Sequence, residues 1–194
     1  AAAGGITGKA TGCISSSANY GEITAANYAG GLAGHTTGWE IPAVKNSYNR
    51  GHVSSDNTAG GLAGFAQNIE LYNCYNAGEV SGSQKGALAG NFNISINNSA
   101  DKTYYVSDMD AFGNQSQVKD HEYVTVTGKT ADSMKGSAFA ATLNKSAKGM
   151  FTGKTGQLPV LSSIEKKTVY TVTYTGDYTG TETVYSGESV ELPE

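Results

Sequence analysis

Ala29-Gly30-Gly31-Leu32-Ala33-Gly34 returns, residue for residue, as Ala59-Gly60-Gly61-Leu62-Ala63-Gly64. A looser copy, Ala3-Gly4-Gly5-Ile6-Thr7-Gly8, lies upstream, and Gly86-Ala87-Leu88-Ala89-Gly90 lies downstream. The first three copies start at 3, 29 and 59, in steps of 26 and 30 residues. Periods of this size belong to stacked-repeat architectures, in which each repeat buries its apolar face only against its neighbours.

Each copy has a second half. Asn46-Ser47-Tyr48-Asn49-Arg50-Gly51-His52-Val53-Ser54 aligns with Asn73-Cys74-Tyr75-Asn76-Ala77-Gly78-Glu79-Val80-Ser81, and more loosely with Ser16-Ser17-Ala18-Asn19-Tyr20-Gly21-Glu22-Ile23-Thr24. The shared skeleton is Asn-x-Gly-x-(Val/Ile)-(Ser/Thr). Short β-prone segments punctuated by Gly and Asn predict a solenoid of short strands, because Gly and Asn tolerate corner conformations while Val, Ile, Thr and Tyr favour extended pairing. No window in residues 1–100 keeps a helical period.

Stacking gives each position a partner above and below. Ile6, Leu32, Leu62 and Leu88 are expected to form one inward ladder, and Ile23, Val53 and Val80 another. Asn19, Asn49 and Asn76 are expected to hydrogen-bond along the stack at one corner.

These two linked sub-motifs resemble the GLUG repeat, most closely in Gly60 to Gly64 with Asn73 to Gly82. Residues 30–34 with 46–54 match well and residues 4–8 with 16–24 loosely. In the fourth copy the second half drifts between Asn97-Asn98-Ser99 and Tyr104-Tyr105-Val106. The resemblance covers about half the chain. It implies a right-handed parallel β-solenoid of about four coils over residues 1–106. It also implies a place in a large secreted or wall-attached bacterial protein, such as the non-catalytic part of an immunoglobulin A peptidase. It implies no single activity.

The pattern changes after Ser107. Glu122-Tyr123-Val124-Thr125-Val126-Thr127 alternates with period two and predicts a strand. Thr130 is the expected cap of one helix, about 131–145 in extent, with Asp132 near its positive end. Met134, Ala138, Phe139 and Leu143 would form an apolar stripe that covers the open end of the last coil. The segment 107–161 thus reads as a cap, closed by Gly156-Gln157-Leu158-Pro159-Val160-Leu161, an order that resembles the closing segment after such repeats. Residues 162–167 form a linker. Residues 168–194 alternate again around the turn Gly176-Asp177-Tyr178-Thr179-Gly180 and resemble the first half of an internalin-type B-repeat, a β-hairpin module.

The formal charge of −4, with Arg50 as the single arginine among 13 basic residues, excludes a phosphate-binding stripe and so nucleic acid. No apolar run spans a membrane. Cys13 and Cys74 read as small buried residues in different repeat phases and not as a disulfide. No zinc-peptidase motif, nucleophile elbow or phosphate loop occurs, so no catalytic, cofactor or metal residue is assigned. The acidic group Asp108, Asp110, Asp120 and Glu122 reads as solvated turn residues, with calcium binding or acid–base work as the sharper alternatives.

The candidate partner surface is Trp39, His52 and Glu79. Eleven residues separate Gly34 from Asn46, against eight between Gly64 and Asn73. The coil carrying Trp39 therefore bulges, and such insertions often bind. The competing reading folds Trp39 back over Ile41 or Tyr48. His52 and Glu79 occupy the outward x position of the skeleton. The sequence therefore predicts an extracellular adhesion, spacer or scaffold module on a bacterial surface, part of a longer parent polypeptide, with a host protein or glycan as the partner class. The alternative is an accessory solenoid of a secreted peptidase or glycan-active enzyme whose catalytic domain lies elsewhere.

Overall fold

The computed structural model describes residues 1–38, 41–93, 98–118 and 122–164, and the backbone of 169–174 and 180–185. It falls into two units, Ala1–Ser162 and Ser163–Glu194. In the second, Val169–Tyr174 pairs antiparallel with Gly180–Tyr185 as a hairpin.

The first unit is a β-solenoid with three faces. One face stacks Ala2–Gly4, Tyr28–Gly30, Val53–Gly60 and Val80–Gly86 in parallel, with Ile23–Ala25 beside the start of Val53–Gly60. The next stacks Thr7–Ala10, Ala33–Thr36, Ala63–Ala66 and Ala89–Phe92. The third stacks paired short strands, from Ile14–Ser15 and Ala18–Asn19 up to Ser99–Val106. Val124–Lys129 then adds a further parallel rung to the third face. The predicted strand after Ser107 is thus a continuation of the stack. The chain reaches it through Ala111-Phe112-Gly113, which hydrogen-bonds above Leu88 and Ala89 as those do above Leu62 and Ala63, and through the short helix α1, Gln115–Val118.

The apolar ladders follow the expected phase. Leu32, Leu62 and Leu88 are fully buried, as are Val53 and nearly Val80, while Ile23 is partly covered. Ile6 departs from the expectation: it is in register with Leu32, yet 48 % exposed. A coil residue is buried by the coils on both sides of it, and Ile6 has one on a single side. A ladder not anticipated from the repeats runs Ile14, Val44, Leu71, Ala100 and Val124 up the third face.

The corner itself is set by two linked choices. Asn19, Asn49 and Asn76 close each strand end on the glycine two residues on, accepting its N–H and donating to its carbonyl. The second glycine of each pair lies against that amide. A Cβ on Gly31 would come within 2.4 Å of Asn49 and one on Gly61 within 2.3 Å of Asn76, so no larger residue fits. The left-handed corner residues are Ser16, Asn46, Asn73 and Lys102, all near φ +50°, three positions before Asn19, Asn49, Asn76 and, in the last of these coils, Tyr105.

The helical segment differs from its prediction in two ways. Thr130 accepts a hydrogen bond from the Ser133 N–H, but it caps only a 3₁₀ turn, Asp132–Met134. Lys135 is extended and Gly136 has φ +86°, which breaks the run, and helix α2 spans Gly136–Asn144. Met134, Phe139 and Leu143 are buried as expected; Ala140 takes the place of Ala138, which is exposed. This stripe does not cover the end of the stack. It packs on the flank, over Tyr48, Tyr75 and Tyr104, which occupy one column of three successive coils. Phe139 meets Tyr75 and Tyr104 edge-on at 5.6 and 5.3 Å. Aromatic rings one rung apart present a continuous apolar strip, and a helix with one apolar face lies along it. Residues 130–162 therefore form a strap down the side of the solenoid.

Candidate functional site

The strap is latched by the single arginine. The Arg50 guanidinium donates to the carbonyls of Leu158 and Pro159 at 2.7 and 2.6 Å and to Tyr75 Oη at 3.0 Å. It stacks over the Tyr48 ring with 5.0 Å to the centroid and over Tyr20 with 5.4 Å. Tyr75 Oη in turn donates to the Pro159 carbonyl. Burial holds the Tyr48 and Tyr75 hydroxyls neutral, pushing both pKa values well above the usual tyrosine value; the hydrogen bond between Tyr48 and Tyr20 adds to the effect at Tyr48, while Arg50 opposes it at Tyr75. In the sequence Arg50 stands out only by its scarcity. The signal for its role was the recurrence of Tyr48 and Tyr75 beside the laddered Asn.

His52 and Glu79 share one outer column with Glu22, one residue before the Ile23, Val53 and Val80 ladder. His52 is half-buried; its Nε2 lies 3.1 Å from Ser81 Oγ and its Nδ1 3.7 Å from Glu22. Its polar contacts are thus met by the coils on either side. Glu79 is exposed. The structure places His52 and Glu79 in one column; Trp39, the third predicted residue, lies outside the described residues. The described neighbours of Trp39 include Gly38, whose carbonyl accepts from Asn68 Nδ2 at 2.9 Å. Tyr28, His35 and Phe65, all partly exposed, cluster at ring spacings of 5.2 to 5.7 Å, an aromatic group the repeat pattern did not reveal.

Asp108, Asp110 and Glu122 are exposed, and Asp120 is outside the described residues. Among the described residues no three His, Cys, Asp or Glu side chains gather as a metal site, and no helix is long and apolar enough to cross a membrane. The cysteines are unpaired. Cys74 is buried, and burial pushes its thiol up to about 12. Cys13, expected to be buried, is exposed. It sits in the residue before Ile14–Ser15 on the third face, a strand that pairs, among the described residues, with the coil of Val44 and Lys45.

One cleft lies where the Asn ladder ends. It is lined by Asn76, Glu79 and Val80 on one coil, Ala87 and Val106 on the next, and Asp108 and Met109 beyond. Here Tyr105 stands at the rung above Asn76, and Ala87 replaces the second glycine of the pair. With no Asn amide in that coil, a methyl group fits.

No family model and no curated protein matches this chain. Among solved structures it is similar to a putative immunoglobulin A1 protease from Bacteroides ovatus, with a TM-score of 0.60 and 19 % identity. The match covers 84 % of this chain and 54 % of that one, so the chain spans about half the length of its structural neighbour. At this identity the likeness is one of fold.

Proposed function

We propose that this chain is a non-catalytic scaffold or spacer module of a larger extracellular bacterial protein, in keeping with its resemblance to GLUG repeats. The observation that carries the reading is the continuous internal stacking. Leu32–Leu62–Leu88 and Asn19–Asn49–Asn76 tie coil to coil through buried apolar and hydrogen-bonded contacts, and the strap binds three coils together. Such cross-linking along the stack suits a part that holds other parts at a fixed separation.

The test uses two exposed residues of one column. Cys13 and Tyr123 each precede the equivalent residues Ile14 and Val124, four rungs apart. Spin labels on Cys13 and on Tyr123→Cys should give one narrow distance, near 19 Å between backbone sites at about 4.8 Å per rung. A broad or bimodal distribution contradicts a stiff spacer.

The second reading, an accessory module of a secreted peptidase, is favoured by the fold shared with the putative immunoglobulin A1 protease. Replacing residues 1–162 in the parent polypeptide by an unrelated solenoid of equal rung number separates the possibilities. A spacer substitution leaves the parent's activity intact. Loss of attachment shows that this surface itself adheres, and loss of peptide turnover shows that it serves a peptidase.

A further inference from the structure

The Asn ladder has a direction, and its two ends are chemically different. Asn19 Nδ2 donates to Asn49 Oδ1 at 2.8 Å, and Asn49 Nδ2 donates to Asn76 Oδ1 at 2.8 Å. Each Nδ2 also donates to the glycine carbonyl two residues on. Asn49 therefore uses both donors and both acceptor sites. Asn76 uses both acceptor sites but only one donor. Tyr105 at the next rung has no side-chain amide oxygen to receive the other. Among the described residues the second N–H of Asn76 has no partner, although the residue is only 3 % exposed. A buried donor left unmet costs free energy that an incoming acceptor recovers.

Asn76 is one of the residues that line the cleft of about 420 Å³ described above. The cleft has a mixed lining. Val80, Ala87, Val106 and Met109 supply apolar surface; Glu79 and Asp108 supply two exposed carboxylates. None of its ten lining residues is Lys or Arg, and neither carboxylate makes an ion pair among the described residues. A neutral acceptor, an aliphatic stem and a cation are the complement of this lining. One unit of polypeptide offers all three.

We infer that the cleft docks a polypeptide segment through a Lys or Arg residue. Its backbone carbonyl accepts from Asn76 Nδ2, its aliphatic stem lies on Val80 and Met109, and its charged end sits between Glu79 and Asp108. The long side chains of Lys and Arg bury their stems on apolar surface while the head stays with its counter-charges.

The probe is the capped tripeptide acetyl-Gly-Lys-Gly-amide, titrated into the ¹⁵N-labelled full chain. The expected result is saturable shifts at the amides of Gly78, Glu79, Val80 and Met109 and at the side-chain NH₂ of Asn76. The norleucine counterpart, which keeps the carbonyl and loses the charge, should bind about fivefold more weakly, the size expected of exposed charge pairs. The double variant Glu79→Gln, Asp108→Asn should weaken the lysine peptide by a similar factor, and salt should do the same. Both substitutions are at exposed positions, and an unchanged spectrum without peptide shows that the fold is intact. Absence of saturable shifts overturns the proposal. So do shifts spread over other acidic surface, or equal affinity for the norleucine peptide.

Discussion

Tyr48 and Asn49 are adjacent, and each belongs to a ladder, but the two ladders are completed in opposite ways. Asn49 points into the coil, where its four hydrogen bonds go to Gly51 and to the Asn residues of the coils on either side. Tyr48 points out of the coil, stacks on Tyr75 at 4.8 Å with the rings 9° from parallel, and is covered by the strap. The inner ladder is closed by repetition alone. The outer one needs a segment that does not repeat, held by Phe139 and by the latch at Arg50. The difference teaches that this solenoid has a core that each added coil extends and a flank that one separate element must cover.

The comparison breaks most severely at Leu62. Leu62→Asp places an unpaired carboxylate in the middle of the inner stack, at a site with no exposure. It should remove more than about 5 kcal/mol and leave no folded protein by circular dichroism, since an uncompensated buried charge is among the most costly changes. A soluble variant of unchanged melting temperature would show that the Leu column is not the core.

Asn49→Leu tests the polar half of the same core. It leaves Asn19, Asn76 and both backbone groups of Gly51 without their partners and should cost about 3 kcal/mol, read from chemical denaturation. A loss under 1 kcal/mol would mean that water or rearrangement replaces the ladder at little cost.

On the flank, Arg50→Lys keeps the charge but loses the planar fork that reaches Leu158, Pro159 and Tyr75 together. A loss of about 1–2 kcal/mol is expected, with the proteolytic sensitivity of residues 145–161 rising more than that of the coils. An equal rise in both regions would make Arg50 part of the common core.

The smallest effect is an alkaline one. Tyr48, Tyr75 and Cys74 all have folded-state pKa values raised mainly by burial, so the folded protein keeps protons that the unfolded chain releases. Their stabilising contribution is complete below the ordinary thiol pKa of 9.0 and is lost progressively as pH rises toward about 12 at Cys74. Melting temperature should fall through this window. Cys13 should react with a thiol reagent in the folded state and Cys74 only on unfolding.

How much of this was legible depended on repetition. Leu32, Leu62 and Leu88 and the Asn ladder could be read because the same residues return in phase. Ile6 shares the phase but not the burial, because burial depends on how many neighbouring coils a position has and not on its own motif. The placement of α2 was not legible. Its stripe showed that one side must be covered, and nothing in that segment repeats to say against which surface. The tyrosine column does hold the answer, since Tyr48, Tyr75 and Tyr104 keep the coil period, but the second half of the fourth copy drifts between two registers. The same drift hid the cleft. There the replacement of glycine by Ala87 and of asparagine by Tyr105 fall in a single coil, and only the pairing of Asn76 with Tyr105 joins the two changes. Glu79 was correctly expected to be exposed, while its neighbours across the cleft lie in the segment after Ser107 where the motif stops.

Native-state hydrogen exchange tests the layered account most directly. The Leu32, Leu62 and Ala63 amides donate across coils at the inner stack, and the Lys145, Phe151 and Ser162 amides donate within the strap. If the strap is a separate layer on a self-sufficient core, its amides should exchange through a partial opening of lower free energy and weaker denaturant dependence, while the inner amides exchange only on global unfolding. Arg50→Lys should lower the first free energy more than the second. Identical free energies and identical denaturant slopes for the two sets, moving together in the variant, would contradict the account.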